Sequence, residues 1–260
     1  MMKKIIKISL SILAIASLLI VVPQLILAYP AFLFEEEFNY KNITILSNEK
    51  VGIEMKGTLD TISSKLVMTG FYVETDQVKI ILCSKKTLAS FIDKISLAPV
   101  GVGFHHFSGN IYLFPGRINQ FREENLKVKG EEKALLEYTY QAFEFDKILT
   151  HEILHKLHSD SLGIWEFKQK MPPPHWKAEG FAEYYTFDLE KRKSGDYDFR
   201  DRVTLYLRYQ DKFPLFYYKS QLLYEFLTEY RHMDFVYIMQ DEVTEQGTFD
   251  ELIKWYSQNN

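Results

Sequence analysis

Hydrophobic and polar positions divide the chain into three stretches. Lys3, Lys4 and Lys7 precede Ile8–Ala28, a run of 21 residues without a charge, which is long enough to cross a bilayer as a helix. From Tyr29 to about residue 130 the apolar residues come in short clusters at Ile43–Leu46, Gly70–Glu74, Val78–Cys83 and Ile111–Phe114. Their length and residue types predict strands. Lys86–Ile95 has the three-to-four spacing of a helix, and Gly101-Val102-Gly103 and Ser108-Gly109-Asn110 mark turns before the last strand. Beyond residue 131 the spacing turns helical, over Asp146–His158, Ala178–Lys191, Lys219–Tyr230 and Phe249–Ser257, whereas Glu137–Phe145 fits a strand or a helix equally. Pro172-Pro173-Pro174 separates two of these helices, since proline cannot occupy a helix interior.

This pattern predicts an α+β fold: a small mixed β-sheet lobe at 29–130, a mainly helical lobe at 131–260, and an N-terminal hydrophobic helix before them at 1–28. The three lysines orient the N-terminal segment with its start in the cytoplasm, which sends the remainder outward. Pro23 and Gln24 interrupt the apolar run, so a cleaved signal peptide is the alternative to a retained anchor. Either way the working domain is expected outside the cytoplasm, membrane-anchored or secreted.

Composition narrows the chemistry. Charged residues make up 25% and hydrophobic residues 47%, an ordinary globular balance. The formal charge is −4; without the three N-terminal lysines, 28 bases face 35 acids, leaving −7. No nucleic-acid partner is expected, because phosphate binding needs clustered basic residues on a positive surface, and Lys191-Arg192-Lys193 reads as a solvated helix end. Cys83 is the only cysteine, so an intrachain disulfide and Cys-based zinc sites are excluded. Its apolar neighbours predict a buried structural thiol.

Chemistry concentrates at His151-Glu152-Ile153-Leu154-His155. Residues four apart on a helix lie one turn above each other, so both imidazoles can reach a single ion while Glu152 points beside it toward a bound water. Ile148, Leu149, Ile153, Leu154 and Leu157 supply the apolar surface that fixes such a helix. In Trp176-Lys-Ala-Glu-Gly-Phe-Ala-Glu-Tyr184, Glu179 and Glu183 are again one turn apart. A catalytic zinc takes three protein ligands and keeps one open position, and two histidines with one glutamate are a standard set. Glu179 completes that set, for one Zn2+ ion. A ligating histidine donates its other ring N–H to a carboxylate, and Glu183 is placed to accept it from His151.

These residues resemble the gluzincin metallopeptidases, a group that includes thermolysin and the aminopeptidase N type. Trp176–Tyr184 is similar to the Trp-x-x-Glu-Gly-Phe-Ala signature whose glutamate binds zinc, which maps onto Glu179, and the acid four residues later maps onto Glu183. The resemblance covers roughly 148–227. It implies a zincin-like catalytic domain with its active site between a sheet lobe and a helical lobe, and a zinc-dependent peptidase, most simply an endopeptidase, acting on a peptide or protein substrate. Glu152 would serve as general base and then acid. Tyr217-Tyr218-Lys219-Ser220 followed by Phe226-Leu227 is similar to a segment of small membrane-linked gluzincins, which offers Tyr217 as oxyanion donor, with Tyr218 next. In such folds an edge strand beside the active helix pairs with the substrate backbone, a role that falls on Ile111–Phe114. The chain departs from the family in the 23 residues between His155 and Glu179 and in lacking a Gly-x-Met-x-Asn loop, by which aminopeptidases grip a free amino terminus. Of the other histidines, His105 and His106 read as a loop or strand pair, and His158 as pointing past the ion. His175 and His232 show no partner pattern. A catalytically silent relative acting as a binding or scaffolding module is the alternative, although Glu152 and all three ligands are retained.

Overall fold

Val78–Cys83 lacks the alternation of a half-buried strand because it is buried on both faces. As β3 (Val78–Leu82) it lies in the middle of a five-stranded mixed sheet of order β1-β2-β3-β5-β4, with β1 Glu36–Tyr40, β2 Ile43–Ser47, β4 Val102–Phe104 and β5 Ile111–Leu113. The structure, a computed structural model, describes residues 2–72, 75–96, 102–104, 108–125, 127, 130, 133, 144–163, 175–187, 198–212 and 215–259. The fold is α+β. β1 and β2 form an antiparallel pair, β3 runs parallel to β2 and β5, and β4 is antiparallel to β5. Leu46, Ile81 and Tyr112 stand opposite one another on one face, and Ile45, Ile80 and Ile111 on the other; all six are buried.

The helices are α1 Met2–Ala28, α2 Met55–Val67, α3 Lys86–Ser96, α4 Pro115–Asn125, α5 Phe145–Leu162, α6 Trp176–Thr186, α7 Phe199–Tyr209, α8 Phe216–Glu225, α9 Phe235–Ile238 and α10 Glu245–Gln258. A π-helical turn at Phe226–Tyr230 continues α8, and a 3-10 turn at Pro30–Leu33 follows α1. Two compact units result. The first comprises Met1–Ile53 and Gln77–Arg117, and the second Glu54–Asp76 and Ile118–Asn260.

In the first unit, Leu27 from the end of α1 packs with Leu46, Ile81, Cys83, Ile92, Tyr112 and Phe114. Burial pushes the Cys83 thiol up to about 12, as expected of an inert structural cysteine. α1 passes through Pro23 without a break. Its side chains are described at positions 12, 13 and 17–28. Among the positions whose side chains are described, no helix offers a stretch long and apolar enough to cross a membrane.

Two expectations are corrected. Gly70–Tyr72 is not a strand; Gly70 takes a positive φ of 73° at the end of α2, a turn geometry that suits glycine. Ile111–Leu113 is not an edge strand, because β4 folds back across the Ser108-Gly109-Asn110 turn and occupies its open side. β5 is thereby hydrogen-bonded on both sides, and its backbone has no free edge to offer a substrate. Among the calls outside the described residues are His105, His106, Pro172–Pro174, Lys191–Lys193 and nearly all of Glu137–Phe145.

Candidate metal centre

α5 is buried on all sides: every residue from Ile148 to Ser159 is shielded from solvent. A helix in that setting carries apolar residues around its whole circumference, and the polar exceptions must find partners inside the protein. Thr150, His151, Glu152, His155, Lys156, His158 and Ser159 are those exceptions. The helix opens on Asp146 in its first turn, and Thr150 Oγ1 donates to the Asp146 carbonyl at 2.7 Å. It ends at Gly163, whose φ of 81° is a conformation that L side chains rarely adopt. α6 opens on His175, whose Nδ1 accepts from the Lys177 N–H at 3.3 Å, a capping role not visible in sequence. Trp176–Tyr184 is buried throughout.

The two helices bring three ligand atoms together. His155 Nε2 lies 2.9 Å from His151 Nε2, and Glu179 Oε2 lies 3.2 Å from each of them. Atoms so spaced share a centre roughly 1.8 Å from each, near the 2.0–2.2 Å at which imidazole and carboxylate bind zinc. Two imidazole nitrogens and a carboxylate oxygen aimed at one point form a donor set that fits a divalent transition ion. His151, His155 and Glu179 form a buried cluster that could hold a metal ion. On the far side of the His151 ring, Nδ1 approaches Glu183 Oε1 at 3.3 Å, and Glu183 is fully buried. That is the carboxylate support a ligating imidazole requires.

Compared with known protein families, curated proteins and solved structures, the chain matches none.

Glu152 is 7% exposed. Burial raises its carboxyl above the ordinary range, against the pull of His151 and His155, a direction that suits proton transfer near neutrality. Tyr217, on the first turn of α8, sets its ring 6.4 Å from that of His151 at an edge-on 69°. The Tyr218 hydroxyl is directed elsewhere and donates to the Arg202 carbonyl at 3.2 Å. His158 packs edge-on against Phe181 and Phe235 outside the ligand cluster, and burial pushes its imidazole down to about 3. Every residue assigned to the site lies in the second unit.

Sequence reasoning missed the residues that hold α6, α7 and α8 together. A Cβ at Gly180 would lie 2.5 Å from the Ser220 carbonyl oxygen and 2.9 Å from Tyr224 Cβ. Glycine beside the ligand Glu179 is what allows α8 to approach so closely. Arg202 on α7, 2% exposed, donates to Glu225 Oε2 at 2.7 Å and to Gln221 Oε1 at 2.6 Å, with the Tyr218 ring 5.0 Å from the guanidinium. Gln221 in turn donates to the Glu183 carbonyl at 3.3 Å. A glycine inside a helical pattern was the available signal; no sequence rule pointed to Arg202.

Proposed function

We propose that the chain is a zinc-dependent peptidase. The convergence of His151 Nε2, His155 Nε2 and Glu179 Oε2 within 3.2 Å of one another, with buried Glu152 on the same helix, carries this reading. The buried cluster could hold a metal ion; zinc is the proposed occupant, since two histidines, one glutamate and an open position make a common catalytic zinc site. Bound there, the ion supplies Lewis acidity, which activates water and polarises a carbonyl.

The protein's own groups do the rest. Glu183 holds the His151 ring in the tautomer whose Nε2 lone pair faces the site. Glu152 accepts the proton of the attacking water and returns it to the leaving amine, so one carboxylate acts as base and then acid. Tyr217 presents its hydroxyl as a donor to the carbonyl oxygen as that oxygen gains charge. A peptide or protein is the proposed substrate, and the proposed location is outside the cytoplasm.

The test is metal analysis combined with a peptide-library digest. We expect about one zinc per chain in wild type and in Glu152→Gln, with hydrolysis lowered by about 10²–10⁴ in the variant. Tyr217→Phe should keep the metal and lose about 10²–10³ in kcat. A metal-loaded wild type that leaves every peptide intact would instead mark a binding or scaffolding module.

A further inference from the structure

The end of α1 is part of the first unit's core. Leu27 is 2% exposed among sheet and α3 side chains. The last carbonyls of a helix have no partner within it, and here two of them are capped from the sheet. Asn110 Nδ2 donates to the Leu27 carbonyl at 2.9 Å and to the Ala28 carbonyl at 3.0 Å, and Tyr112 Oη donates to the Leu27 carbonyl at 2.6 Å. Asn110 and Tyr112 are themselves 3% and 4% exposed.

About two turns back the surroundings are different. Leu18–Val22 are five consecutive apolar residues, each 44–71% exposed. Successive residues step about 100° around a helix, so the exposed apolar surface encircles it. A helix apolar on every side belongs in hydrocarbon or inside a core. Lys3, Lys4 and Lys7 lie at its start, and no acid occurs before Glu35, the asymmetry that fits an anionic membrane face. Tyr29 and Phe32, both 71% exposed, follow its other end, where interfacial aromatics are placed.

We propose that α1 is retained as a lipid-embedded anchor whose last turn is built into the first unit, so that this unit is fixed directly at the bilayer surface with no flexible tether. Cleavage after Ala28 would remove Leu27 from the core and leave Asn110 and Tyr112 buried without acceptors, which costs more than the loss of the hydrogen bonds alone. The proposal does not depend on the metal reading and would stand for a chain that binds no ion.

The full chain, produced in bacteria with its own N-terminus, tests it. Intact mass should include residues 2–28, and the protein should remain in the membrane pellet after alkaline carbonate and leave it only in detergent. A mass that begins at or after Tyr29 would overturn retention. Recovery of the full chain in the carbonate supernatant, alone or as a water-soluble oligomer joined through α1, would overturn the lipid assignment. For the built-in turn, Asn110→Ala with Tyr112→Phe should lower the unfolding midpoint in detergent by roughly 4–8 °C while leaving the protein in the membrane. Tyr112→Phe alone should give a smaller shift in the same direction. Unchanged midpoints in both variants would show that the helix end is not part of the folded unit.

Discussion

His151 is committed on both sides of its ring, with Nε2 facing His155 and Glu179 and Nδ1 facing Glu183. Burial alone pulls its proton off, but hydrogen bonds to Glu179 and Glu183 outweigh burial and hold it up at about 10 in the ion-free protein. Despite its burial, Glu179 is held well below the ordinary carboxylate range, first by the electrostatic pull of His155 and then by hydrogen bonds from His151 and His155. A raised histidine stabilises the ion-free fold fully below its ordinary value of 6.5, and the contribution is lost as the pH climbs through about 10. A cation must displace that proton, so metal affinity should increase with pH across this window. Each ion bound at pH 7 should release about one proton. Titration calorimetry in two buffers of different ionisation enthalpy measures the release, and identical heats in both would contradict it.

Helix α6 is held from two directions. At Gly180 it meets the backbone of α8, where a methyl group would collide with a carbonyl that cannot rotate away. Gly180→Ala should therefore destabilise the protein by about 1–3 kcal/mol and weaken metal binding through the adjacent Glu179. Gly57 in α2, with nothing within 4 Å of an added Cβ, is the matched control and should gain stability on the same change. Denaturant unfolding separates the two outcomes. From the other direction, Arg202 links α7 to Glu225 and Gln221 on α8. Arg202→Met should cost about 3–5 kcal/mol, because it strands a buried carboxylate, and adding Glu225→Leu should recover part of the loss. The ligand-bearing helices α5 and α6 were legible in sequence because their motif residues sit in helical spacing. Gly180 and Arg202 were not, since their roles depend on neighbours 19–44 residues away in the chain. Helices α2, α4 and α7 were missed for a related reason: each is short and partly polar, and tertiary contacts rather than periodicity decide its conformation.

Across the molecule, all three ligands belong to the second unit, and among the described residues the first contributes none. Removing the ion with a chelator should lower the melting transition of the second unit and leave that of the first in place. At free metal a hundredfold above Kd the difference is about 2.7 kcal/mol, which scanning calorimetry resolves as a shift of several degrees. The sequence division near residue 130 was drawn where the apolar period changes. The structure instead groups Glu54–Asp76, which precedes most of the sheet, with the later helices. Local periodicity carries no record of such an exchange. The interleaving bears on biogenesis, because the chain passes between the units at 53/54, 76/77 and 117/118. No single cut in the gene yields both units entire, and during synthesis β1 and β2 emerge first yet wait for β5, while α2 emerges early and waits for the metal helices. Whatever delivers this polypeptide to its destination must keep both unfinished halves from sticking until the last third of the chain arrives.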